Sequence, residues 1–300
     1  MWISKVLEEQ NIDFETVGEQ EVDSLGLIGY NAGNRVATFV AEGKYLCDFP
    51  DNIRTILTTA EIASIIHNKQ TNIGLVIVKD PRDCFFSSHN FLAKADSYRR
   101  TSFPTKIDES AKISHHSSIS SNNVVIGKNS IIEEFVVIRE NTVIGNNTII
   151  RAGSTIGSEG FEFKIHNNET YRVEHLGGVI IGDNVEIQYN NCVDKAIYPW
   201  DNTEIGNDSK LDNLIYIAHG VRIGENTKIA AGVTIGGRCK IGDYSWIGLG
   251  AVVRNGLRIG DNSRANMGSV VTKNINSNES VSGNFAINHK EFIKKMKGEK

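Results

Sequence analysis

One period constrains this chain more than any other feature: from Ile181 to Val271 an aliphatic residue returns at every sixth position. Of the sixteen positions in that register fourteen are Ile, Leu or Val, with Pro199 and Ala265 the exceptions. Gly follows directly at Gly182, Gly206, Gly224, Gly236, Gly242, Gly248 and Gly260. The same period runs from Ile126 to Ile156 in another phase, and briefly through Ile107, Ile113 and Ile119.

No α-helix repeats every six residues, and a simple strand repeats every two. One aliphatic among small and polar residues instead fits a short strand followed by a turn. The aliphatic points inward, and Gly, Asn or Asp takes the turn position where φ is positive. Coils of such units stack into a parallel β-helix, each burying its aliphatics on those of the next. Three hexads close a triangular coil, so residues eighteen apart should stack. The class is mainly β, and by itself this pattern describes a scaffold.

The chain of 300 residues has a net charge of −4 and no long basic run, which argues against a nucleic-acid or polyanion binder. Cys47, Cys84, Cys192 and Cys239 form no CxxC and read as reduced thiols of a cytoplasmic protein. Met1 to Lys5 leads into acidic residues rather than an apolar stretch, so no signal peptide is expected, and no apolar run is long enough to span a membrane.

Residues 1–100 lack the period and read as a small α/β domain. Val36–Val40 and Gly74–Val78 have the composition of buried strands, Asp51–Asn68 mixes helix and strand character, and Cys84–Lys94 suits a short amphipathic helix. Arg99–Pro104 is the expected exit linker. The solenoid domain then covers 101–280, interrupted by an inserted loop at 157–180 that brings Phe161, Phe163 and His175. A loop thrown out of a regular solenoid is where binding residues tend to sit. Residues 281–300 read as a short basic helical tail with little apolar face.

Among residues able to carry chemistry, His219 breaks the hexad logic. It follows the inward Ile217 by two and precedes Gly220, so it should project outward from its coil. A carboxylate commonly holds such an imidazole in its productive tautomer. Asp212, seven residues back, and Asp201, eighteen back, are both candidates, and spacing does not choose between them.

The segments Glu159-Gly160-Phe161-x-Phe163, His175-Leu176-Gly177-Gly178 through Ile187, and Asp212-Asn213 through Ile217-Ala218-His219 to Ile223-Gly224 resemble those of the UDP-3-O-acylglucosamine N-acyltransferase family. The likeness extends over residues 20–280, to Phe39 and Tyr45, spaced as the family's uracil-clamping aromatic pair, and to Lys79-Asp80-Pro81. The resemblance implies a left-handed β-helix, a uridine-binding N-terminal domain and a homotrimer with active sites between neighbouring solenoids. It also implies a general base at His219, with Phe161, Phe163, His175 and Asn213 towards the sugar nucleotide. An amine must lose a proton to attack a thioester, and a neutral imidazole can take it. The oxyanion would need N–H donors, for which Gly236 and Gly237 are the candidates. No cofactor is bound permanently. The acyl donor is an acyl carrier protein thioester or acyl-CoA.

Three places depart from the family: Gly256 precedes Leu257 instead of His, Asp194–Trp200 replaces a basic-Gly segment, and the tail is short. An enzyme acylating another nucleotide-linked amino sugar for a surface polysaccharide, with a short acyl-CoA, fits equally. Outward small residues such as Ala218, Ala230, Ala231 and Gly248 would line a groove for a long chain, and Trp246 would block it. A hexapeptide metalloenzyme would need three His at one Zn²⁺, which His219 and the distant His115-His116 do not supply. A non-catalytic sugar-nucleotide-binding solenoid is the remaining class.

Overall fold

In the computed structural model, which describes residues 1–28, 34–69, 72–166, 168–283 and 286–298, the chain divides into two units. The first comprises Met1–Phe103, Glu159–Gly178 and Lys195–Asn202; the second comprises Pro104–Ser158, Val179–Asp194 and Thr203–Lys300.

The first unit is built on a five-stranded sheet in the order Glu15–Val17, Gly74–Ile77, Ile53–Thr58, Val36–Val40, Ser24–Leu25. Glu15–Val17 is antiparallel to its neighbour and the other pairs are parallel. Successive side chains of a strand point to opposite faces, and the core divides accordingly. Ala37, Leu57 and Val76 pack with Phe85 and Phe86 of the helix Pro81–Leu92, while Val36, Ile56 and Leu75 pack with Ile62 and Ile66 of Ala60–Lys69. The mixed stretch Asp51–Asn68 thus resolves into a strand and then a helix. Lys79-Asp80-Pro81 is a helix start: the Asp80 carboxylate accepts the Asp83 N–H at 3.0 Å and Pro81 takes the first turn, where no N–H is needed. The inserted residues form an antiparallel hairpin, Phe163–His166 with Glu169–Arg172. Within this unit Asp83 takes hydrogen bonds from His166 (2.5 Å) and Tyr171 (3.2 Å), and Asn90 donates to the Arg172 carbonyl (2.7 Å).

The second unit is a parallel β-helix of three sheets, named in the order the chain enters them: a first of eight strands from Lys106–Ile107, a second of nine from Lys112–Ile113 and a third of eight from Ser118–Ile119. Leu211 lies beside Ile229, Ile229 beside Ile247 and Ile247 beside Ala265, each pair eighteen residues apart, as the period predicts. Their side chains form one continuous aliphatic column at the centre. The first coil is spaced by nineteen and the last pair, Ala265 with Val281, by sixteen, and two excursions stretch the spacing further. Ile150 stacks on Ile187, thirty-seven residues on, because Glu159–Gly178 leaves the coil. Ile187 stacks on Leu211, twenty-four residues on, because Lys195–Asn202 leaves it too.

This second excursion corrects the sequence reading. It lengthens the coil by one hexad, so the aliphatic register passes through it undisturbed, and Pro199 counts as a coil position although it lies in the first unit. The tail also differs from expectation. Its helix, His289–Met296, carries Phe292, Ile293 and Met296 on neighbouring positions, an apolar stripe open to solvent. Residues 299–300 lie outside the described residues.

Candidate active site

His219 sits where the third sheet turns towards the first. Its strand, Tyr216–Ile217, lies between Cys192–Asp194 in the coil before and Thr234–Ile235 in the coil after. Ile217 enters the aliphatic column, the Ala218 N–H donates to the Ile235 carbonyl (3.1 Å), and the His219 carbonyl accepts the Arg238 N–H (2.9 Å). The turn is completed by Gly220 at φ +66°, a left-handed conformation that glycine adopts without steric cost.

The imidazole does not stand free in solvent as its spacing suggests. It is only 8 % exposed and lies over Gly237 of the next coil. A Cβ on Gly237 would come within 2.7 Å of Nε2 and 2.9 Å of Cε1, so the ring occupies the space that any other side chain there would need. Of the two glycines expected as oxyanion donors, Gly236 already gives its N–H to the Val253 carbonyl at 2.9 Å and serves the coil ladder. Gly237 is the one that faces the imidazole.

Asp212 and Asn213 stand at a different corner, where the second sheet turns towards the third. Both carboxylate oxygens of Asp212 accept backbone N–H groups, Asn213 at 2.8 Å and Ala231 at 3.2 Å, while the Asn213 side chain accepts the Tyr189 N–H at 3.0 Å. They fasten successive turns to one another. Asp201 belongs to the first unit, where its carboxylate accepts the Asn202 N–H (2.9 Å).

The carboxylate that sequence reasoning missed is Asp194, 2 % exposed in the coil before His219. It accepts the hydroxyls of Tyr216 (2.6 Å) and Ser158 (2.8 Å), with the Cys192 thiol at 3.8 Å. Burial raises its pKa above the ordinary carboxylate value, against the lowering effect of these donors. Two excursions conceal this cluster: Glu159–Gly178 separates Ser158 from Asp194, and without Lys195–Asn202 eighteen-residue stacking would have placed 192–194 under 210–212 rather than under 216–218.

The other expected contacts lie in the first unit. Phe39 packs against Phe85 (4.9 Å between centroids) and Phe86 (5.8 Å), so part of its ring belongs to the core, whereas Tyr45 is 55 % exposed with Lys44 Nζ 5.0 Å from its ring. Phe161 and Phe163 are exposed and pack on each other at 4.9 Å. His175 is buried, and its Nδ1–H donates to the Val173 carbonyl (2.9 Å). Desolvation pushes its pKa down to about 4, so the ring is neutral near pH 7. A pocket of ≈ 280 Å³ in this unit is lined by Asp80, Arg82, Asp83, Phe86, Phe163, Lys164 and Ile165, with Lys164 Nζ 4.4 Å from the Phe86 ring.

Comparison with known proteins agrees with the stacked hexads. The bacterial transferase hexapeptide repeat matches residues 123–158 and 202–237, and the hexapeptide repeat of succinyl-transferase matches 238–273. UDP-3-O-acylglucosamine N-acyltransferase of Leptothrix cholodnii is 46 % identical over 44 residues, 15 % of this chain and 13 % of that protein. A second such enzyme, from Legionella pneumophila, is 47 % identical over 45 residues, again 15 % and 13 %. The matched stretch is thus a small part of these relatives' length. Among solved structures, the UDP-N-acetylglucosamine acyltransferase of Francisella novicida superposes with a TM-score of 0.51 at 24 % identity, over 65 % of this chain and 72 % of that one. It shares the left-handed parallel β-helix. The chain carries hexapeptide repeats over residues 123–158 and 202–273; one short stretch of it is similar in sequence to UDP-3-O-acylglucosamine N-acyltransferases, and its fold is similar to that of a UDP-N-acetylglucosamine acyltransferase.

Proposed function

We propose that the protein is an N-acyltransferase that moves an acyl group from a thioester to the amine of a nucleotide-linked amino sugar, with His219 as general base. The observation that carries this reading is the imidazole laid over Gly237, so close that no side chain could stand between the ring and that turn. In the proposed mechanism His219 removes a proton from the substrate ammonium. The amine attacks the thioester carbonyl, and the Gly237 N–H donates to the oxyanion of the tetrahedral intermediate. Collapse expels the thiolate, which takes the second proton that the nitrogen gives up as it becomes the amide. The names of the relatives supply the substrate class, since both curated enzymes act on an acylated UDP-glucosamine. Phe39 and Tyr45 are the proposed uracil contacts, a stacked base contributing about 1–3 kcal/mol. The donor is a carrier-protein or coenzyme A thioester, and the assembly a cytoplasmic homotrimer. Among the described residues no helix is long and apolar enough to cross a membrane.

A shorter acyl group from coenzyme A is the second reading, and one observation favours it. On the outer face of the second sheet a pocket of ≈ 250 Å³ runs over Leu211, Ile229 and Ala230 and meets Trp246 at one wall. An acyl chain laid in this pocket would end at the indole. Thiol release should be followed with UDP- and dTDP-linked amino sugars, each offered with acetyl-CoA, 3-hydroxybutyryl-CoA or a 3-hydroxyacyl carrier protein. Turnover with a long carrier-bound chain and 3-O-acylated UDP-glucosamine selects the first form; turnover with a short acyl-CoA and an unacylated sugar selects the second. Silence across the panel refutes both.

A further inference from the structure

We infer that Asp194 is a positioning residue that clamps the segment Tyr216–Gly220 at both ends and so fixes His219 over Gly237. The inference rests on the role proposed for His219. At one end the Asp194 carboxylate accepts the Tyr216 hydroxyl at 2.6 Å. At the other its backbone carbonyl accepts the Thr203 hydroxyl at 2.6 Å, and Thr203 Oγ1 in turn accepts the Gly220 N–H at 2.8 Å. Each hydroxyl has a single proton, so the direction of every bond is set: Thr203 gives its proton to Asp194 and offers a lone pair to Gly220. Asp194 and Thr203 are 2 % and 0 % exposed, so water does not compete for these bonds. The second carboxylate oxygen is occupied by Ser158 at 2.8 Å, which keeps the carboxylate turned towards Tyr216.

His219 lies between the two anchors, next to the one at Gly220. The ladder bonds from Ala218 to Ile235 and from Arg238 to His219 hold the segment from the following coil. The clamp holds it from the preceding one. Gly220 is the point at which the segment could otherwise swing, because glycine populates several backbone regions at similar cost. Anchoring its N–H removes that freedom, and a base displaced by about 1 Å loses roughly 10²-fold in rate.

The full chain with Thr203→Val, Tyr216→Phe and the conservative Thr203→Ser tests the clamp. Three quantities are read: hydrogen exchange of the Gly220 amide, the imidazole NMR signals of His219 (assigned by their loss in His219→Ala), and kcat separately from KM. Thr203→Val should speed Gly220 exchange about tenfold, shift or broaden the His219 signals, and lower kcat about tenfold with KM within about twofold. Thr203→Ser should restore all three, and Tyr216→Phe should change the His219 signals and kcat in the same direction. Wild-type exchange, imidazole signals and kcat in both Thr203→Val and Tyr216→Phe would overturn the inference. Should Thr203→Val not fold, Tyr216→Phe decides alone. Should the wild-type protein turn over no substrate, the acyltransferase reading falls, while exchange and imidazole signals still decide whether the clamp exists.

Discussion

At the scale of residues the site depends on one absent side chain. Gly237 gives the imidazole of His219 its seat, and adding a methyl there would place a carbon 2.7 Å from Nε2. The ring must then rotate or lift while the coil, fastened by the Gly236 N–H to Val253, stays in place. Gly237→Ala is therefore expected to melt within a few degrees of the wild type and to lose about 10²-fold in kcat. Initial rates beside a thermal melt check this, and wild-type kcat in the variant would remove Gly237 from the site. The residues of the turns behave differently. Asp212 and Asn213 hold backbone N–H groups at another corner, and changing them should act on stability before turnover.

At the scale of elements the β-helix is held by its aliphatic column and by a ladder of buried hydroxyls beside it. Ser209 donates to the Gly224 carbonyl (2.8 Å), Thr227 to Gly242 (2.8 Å) and Ser245 to Gly260 (2.9 Å). Two of them also accept: Ser209 takes the Thr227 N–H (3.1 Å) and Thr227 takes the Ser245 N–H (3.2 Å). Thr227→Val leaves one buried carbonyl and one buried N–H without this partner, at about 1–3 kcal/mol each, whereas Thr227→Ser keeps both bonds. Denaturant unfolding should place the valine variant lower by that amount and the serine variant near the wild type. The column was legible in the sequence because an aliphatic every six residues has no other economical fold, and His219 was legible as the imidazole that interrupts it. The clamp was not. Its residues are paired across the excursion Lys195–Asn202, which adds one hexad to the coil and so preserves the register while changing which strands are neighbours. The burial of His175 and the partial burial of Phe39 were hidden for another reason: both depend on packing in a unit assembled from three separate stretches of chain.

At the scale of the whole molecule, the first unit carries a pH dependence of its own. His89 and His175 are both buried, and desolvation lowers each pKa from 6.5 to about 4. An imidazole whose folded pKa lies below its unfolded value takes up its proton on unfolding. The preference for the folded state is complete above pH 6.5 and is lost as pH falls from there to about 4. Each group contributes about 3 kcal/mol across that window. Thermal melts from pH 7 to pH 4.5 should show the first unit weakening steeply, and NMR titration should find both rings neutral at pH 5. Rings titrating near pH 6.5 would contradict this. In the other unit the β-helix holds His219, the proposed base. Thiol release by His219→Ala, measured beside the wild type on whichever donor and amino sugar support turnover, tests it most directly. The account predicts a fall of about 10²–10⁴-fold with the thermal melt unchanged. Wild-type turnover in a folded His219→Ala protein would contradict it.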